Sequence, residues 1–74
     1  MSKFPPLKPR EVEYNLKKMG FILVRQKGSH KQYAHSDGRF TTISFHKGYD
    51  ISPIMVRVIA GDIGVSLDIF YSYY

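Results

Sequence analysis

The residues of this chain best suited to chemistry are three histidines and a cluster of cations. His30, His35 and His46 are the histidines, and Arg25, Lys27 and Lys31 crowd around Gly28, next to His30. An imidazole can accept and donate a proton near neutral pH. From Asn15 to Ser36 there is no acidic residue, while Lys17, Lys18, Arg25, Lys27 and Lys31 all fall there. Such a run is as often a solvated face as a site. Around a glycine turn, however, it suits a phosphate chain: the cations attract it, and the exposed N–H groups of Gly28 and Ser29 can bond its oxygens. Cleavage of RNA needs no metal, because the 2′-hydroxyl is an internal nucleophile. It needs a base for the hydroxyl proton, an acid for the leaving 5′-oxygen, and cations to steady the phosphorane. His30 has the neighbours for the first of these roles.

Other chemistries fit less well. The chain has no cysteine, hence no disulfide, no thiolate nucleophile and no thiolate for zinc. There is no H-E-x-x-H motif, and Asp50 and Asp62, in or near loops, read as structural. The spacing of His30, His35 and His46 does not demand a metal, so neither metal nor cofactor is expected. At 74 residues the chain is one domain near the lower limit for a self-sufficient core, so any site lies on an open face. With 11 Lys plus Arg against 6 Asp plus Glu, its +5 charge favours a polyanion: nucleic acid, an acidic membrane surface or an acidic protein. Met1 to Leu7 has no apolar signal region, and the longest apolar stretch, Ile54 to Ala60, is too short to span a bilayer. A cytoplasmic protein with no membrane partner is the expectation.

These residues must be positioned by a small α+β fold. Met1–Leu7 reads as an irregular tail. Pro9 suits the first turn of a helix that carries Glu11 and Glu13 early, Lys17 and Lys18 late, and an apolar stripe of Val12, Leu16 and Met19 up to the stop at Gly20. Phe21–Arg25 reads as a strand and Gln26–Ser29 as a turn. His30–His35 is a second strand, Ser36-Asp37-Gly38 a hairpin turn, and Arg39–His46 a third strand. After a loop around Gly48, Ser52-Pro53 starts a helix whose apolar face is expected at Ile54 and Val58, with Met55 and Ile59 weaker; it ends near Gly61 or Gly64. Leu67–Phe70 can add one further turn, and nothing explains an aromatic tail at residues 71–74. The order is α-β-β-β-α: a three-stranded antiparallel sheet with both helices on one face and the other face open. The domain is placed at residues 8–70, between tails at 1–7 and 71–74.

Alternation along the strands refines the site. With Tyr33 inward, His30 and Gln32 point to the open face; with Ile43 and Phe45 inward, Ser44 and His46 share that face. A tight hairpin at Asp37-Gly38 pairs positions summing to roughly 74 to 76, which sets His30 opposite Ser44 to His46. A one-residue slip would undo this.

The run Arg25-Gln26-Lys27-Gly28-Ser29-His30, after Gly20-Phe21, resembles the signature of the HicA toxins, small messenger-RNA interferases of toxin–antitoxin pairs. The likeness extends through Asp37-Gly38-Arg39, Ile43–His46 and Ile51-Ser52-Pro53 to about Phe70. It implies a fold similar to double-stranded-RNA-binding domains, RNA cleavage using His30, and a HicB-type antitoxin that masks the toxin surface. One departure is Ser44, where the family often has proline two residues before the histidine ending the third strand.

The leading expectation is therefore a metal-independent endoribonuclease toxin. His30 is its base or acid; Arg25, Lys27, Gly28, Ser29 and Lys31 hold RNA; His46 is the candidate for a second proton-transfer group. The rival is a non-catalytic RNA-binding module of the same fold. A third reading is an interaction protein whose basic face meets an acidic partner.

Overall fold

The computed structural model describes residues 4–46 and 48–72. Its elements are α1 (Pro9–Lys18), β1 (Ile22–Lys27), β2 (His30–Ala34), β3 (Phe40–Ser44), α2 (Pro53–Ile63) and α3 (Leu67–Ser72). The strands form one antiparallel sheet in the order β1-β2-β3. Val12 and Leu16 of α1, Tyr33 and Ile43 of the sheet, Val56, Ile59 and Ile63 of α2 and Phe70 of α3 make one buried core. The helices thus lie on one sheet face, as expected, and the opposite face carries the exposed side chains of His30, Phe40, Thr42 and Ser44. Among the described residues no helix is long and apolar enough to cross a membrane.

The ends of α1 follow its sequence signals. The Lys8 N–H donates to the Glu11 carboxylate at 2.7 Å, satisfying a group just before the helix. The chain then leaves through Gly20 at φ 94°, where a Cβ would lie 2.9 Å from His35 Nε2. The His35 ring packs there, edge-on to Phe21 at 5.2 Å, and its Nδ1 accepts the Asp37 N–H at 3.1 Å. Asp37 Oδ1 lies 3.2 Å from the same Nδ1. His35 is thereby committed to the β2–β3 hairpin. Arg39 is committed too: Nε donates to Asp37 at 2.8 Å, another guanidinium nitrogen donates to the Ile63 carbonyl at 2.6 Å, and the group lies over Phe21. The Arg39 N–H first, and its guanidinium in addition, hold the Asp37 carboxyl below the usual range.

Several expectations need correction. β1 runs on to Lys27, so the turn is only Gly28-Ser29 and not Gln26–Ser29. Two residues suffice because Gly28 takes φ 59° while Ser29 does not go positive, the pattern of a type II′ turn. β3 stops at Ser44 rather than His46; beyond it, the Phe45 N–H still donates to the Ser29 carbonyl at 2.8 Å. The apolar face of α2 is not Ile54 and Val58, which are 75% and 50% exposed. Of the expected residues only Ile59 is buried, together with Val56, Ala60 and Ile63. Apolar residues nearly ring this helix, so its own periodicity left two stripes to choose between, and packing on β3 decided. Leu7, placed in an irregular tail, is fully buried and exchanges two backbone hydrogen bonds with Ile51, 3.0 and 2.7 Å. Tyr71 lies in α3 and donates to the Pro5 carbonyl at 2.6 Å, with its ring 5.0 Å from Phe4. The remaining expectations, for Met1–Lys3, Lys47, Tyr73 and Tyr74, fall outside the described residues.

Candidate functional site

The hairpin β1–β2 positions the candidate residues. No side chain of β1 is buried, so it is held by the ladder to β2 rather than by core packing. The ladder contains a bulge: Leu23 faces Tyr33, but Arg25 faces Gln32, with Val24 extra. A regular continuation from Leu23 would put Arg25 and Lys27 on the helix-covered face. The bulge re-aims both, so that Lys27 is opposite His30 and Arg25 opposite Gln32. Across the sheet, His30 pairs with Ser44 and Gln32 with Thr42. The His30–Ser44 pairing has the register expected of the tight β2–β3 hairpin.

The result is a shallow cavity of about 180 Å³ on the open face, lined by Arg25, Lys27, His30, Gln32 and Thr42. Arg25 and Lys27 form no ion pair among the described residues. No carboxylate lines the cavity. In the adjoining turn, the Gly28 and Ser29 N–H groups have no backbone acceptor among the described residues. The arrangement offers an anion two free cations, two free turn donors and one imidazole. Alternation already places Gln32 on the open face, though with no role; Thr42 is the addition, and the 74-sum register sets it opposite Gln32.

Lys31 is not brought to this site. It lies on the covered face with Tyr33, its Nζ 3.1 Å from Glu13 Oε2 and over the Phe45 ring at 5.1 Å. The Tyr33 hydroxyl donates to the same Glu13 carboxylate. Burial first, and then the Glu13 bond and charge, push the Tyr33 phenol well above its usual range. The alternation that turns His30 outward is the signal that turns Lys31 inward. His46 is not brought to this site either. It follows the end of β3 and lines a separate cavity of about 290 Å³ with Ser44, Tyr49, Asp50, Ser52 and Met55. Among the described residues no group of three His, Asp or Glu side chains is arranged to hold a metal ion.

A family model for the HicA toxin of bacterial toxin–antitoxin systems matches residues 9–65, a span that contains every strand and both longer helices. No curated protein matches the chain.

Proposed function

The chain belongs to the HicA toxin family, and is thus the toxin of a toxin–antitoxin system with a cognate antitoxin; from that premise we propose that it is an endoribonuclease that cuts messenger RNA in the cytoplasm with no metal or cofactor. The observation that carries this reading is the open-face cavity, where His30 shares a wall with two unpaired cations. A phosphodiester held by Arg25, Lys27 and the turn N–H groups of Gly28 and Ser29 would lie beside the imidazole. His30 then takes the proton of the 2′-hydroxyl, whose oxygen attacks phosphorus. The 5′-oxygen leaves with a proton from solvent water, and the upstream fragment ends in a 2′,3′-cyclic phosphate, His30 returning its proton to solvent. Lys27, opposite His30, steadies the phosphorane charge. His46 lies in another cavity, and Lys31 is paired with Glu13, so the proposal gives neither a catalytic step.

The antitoxin we propose is HicB-type and acidic, with carboxylates meeting Arg25 and Lys27 and its bulk covering His30. Capture would then be electrostatically steered, with an on-rate that falls as salt rises.

The test is incubation of purified protein with RNA in excess EDTA. The expected result is fragments with cyclic-phosphate ends. RNA that is bound but stays whole would instead support the non-catalytic binding module.

A further inference from the structure

A second concavity is built where the chain enters α1 and α2. The Phe45 N–H bond to Ser29 ties the end of β3 to the Gly28-Ser29 turn. The chain then turns at Gly48, where the Tyr49 N–H donates to the His46 carbonyl at 3.0 Å, and reaches Ile51, which is bonded to Leu7 just before α1. The segment after β3 therefore bridges the His30 turn to the start of α1. Between them lies a cavity of about 330 Å³ lined by Lys8, Pro9, Arg10, Gly48, Tyr49 and Asp50.

Among the described residues, no ion pair uses the charged groups of this cavity. Tyr49 is 73% exposed, the most of any aromatic among the described residues. Among those residues its ring and hydroxyl make no ring contact or hydrogen bond, and Lys8 and Arg10 form no ion pair. An open aromatic face beside unpaired cations is the combination that binds single-stranded nucleic acid, because every base has a face to stack and every nucleotide a phosphate to neutralise. Asp50 adds an acceptor for a base amino group or a ribose hydroxyl. Four Cα–Cα steps separate Phe45 from Tyr49, a span of at most about 15 Å. One strand can thus reach both cavities.

We propose that this cavity is a second nucleotide subsite, in which a base of the RNA stacks on Tyr49 while Lys8 and Arg10 hold its phosphates. The inference rests on the RNA-cutting reading above and extends it: cleavage occurs at His30, and the strand is gripped a few nucleotides away.

The experiment uses the full chain carrying His30→Ala, so that RNA survives, titrated with an unstructured mixed-sequence single-stranded RNA. Tyr49→Ala should weaken binding by ~5- to 150-fold, the range for loss of one base–aromatic stack. Tyr49→Leu should be equally weak, and Tyr49→Phe should bind like the parent, since the ring and not the hydroxyl does the work. Lys8→Gln with Arg10→Gln should flatten the log–log salt dependence by roughly 0.7 per lost phosphate contact. Unchanged affinity of Tyr49→Ala overturns the subsite, as does a Tyr49→Phe variant as weak as Tyr49→Ala, or an unaltered salt slope. Tyr49 variants that bind RNA normally but lose the antitoxin make this a protein contact and also overturn it. If the parent binds no RNA while folded, the RNA-cutting reading itself fails, and that result is distinct from all the others.

Discussion

Lys27 and Lys31 flank the same two-residue turn, yet the sheet puts them to opposite uses. Lys27 stands unpaired on the open face beside His30. Lys31 is drawn under the helices, bonded to Glu13 and seated over Phe45. The same contrast divides the whole sheet. On the covered side, Tyr33, Thr41 and Ile43 are buried, and the Thr41 hydroxyl donates to Asp62 at 3.0 Å. On the open side, Arg25, Lys27, His30, Gln32 and Thr42 line a shallow cavity and form no ion pair among the described residues. Composition alone does not identify a site; a lysine becomes available for binding only where no carboxylate has claimed it.

The largest effect that should separate the faces is on stability. Ile43→Ala should cost ~2–5 kcal/mol, through lost burial and a residual cavity. Its open-face neighbour Thr42→Ala should stay within about 0.5 kcal/mol. Denaturant melts of the two variants make the comparison, and equal losses would erase it.

Tyr33→Phe sharpens the covered side. It removes a hydrogen bond to a charged partner and should cost ~1.5–3 kcal/mol. It should also change the alkaline limb. The folded Tyr33 phenol holds its proton beyond its usual value, so its contribution is fully present below the unfolded value of about 10. As pH rises past that point the unfolded chain releases its proton first, and stability falls. In Tyr33→Phe that part of the fall should be missing from melts taken above pH 10. An unchanged alkaline limb would mean that Tyr33 is not the group responsible.

The smallest effects come from the two lysines. Lys31→Gln should cost at most ~1 kcal/mol of stability, being a partly exposed pair. It should leave the salt dependence of RNA binding as it was. Lys27→Gln should leave the melt unchanged and flatten that salt dependence by roughly 0.7. A reversed pattern would place the RNA on the helix side.

Much of this division was legible in the sequence. Pro9, the charge gradient and Gly20 delimit α1 by local chemistry. Tyr33 sets the parity of β2, and the short hairpin sets His30 against Ser44. The bulge at Val24 was not legible, because an extra residue has meaning only against the partner strand, and β1 has no buried side chain to mark its phase. The buried face of α2 was hidden by apolar residues on nearly every side, which leaves Ile54, Met55 and Val58 in solvent. Position beside His30 in the chain suggests a role at RNA for Lys31, but alternation places the two on opposite faces. The Glu13 carboxylate that claims it comes from another element. The tight contact of Gly20 with His35 likewise joins elements that sequence spacing does not connect.

The most direct measurement is the single-turnover rate of RNA cleavage by His30→Ala beside the unmodified chain, with a melt recorded on each. His30 is exposed on a strand end, so the two melts should coincide. The rate should drop by ~10²–10⁴-fold, the usual contribution of a general acid–base group. A folded His30→Ala protein that cuts RNA at the unmodified rate would contradict the account, and the chemistry would have to be sought off the open face.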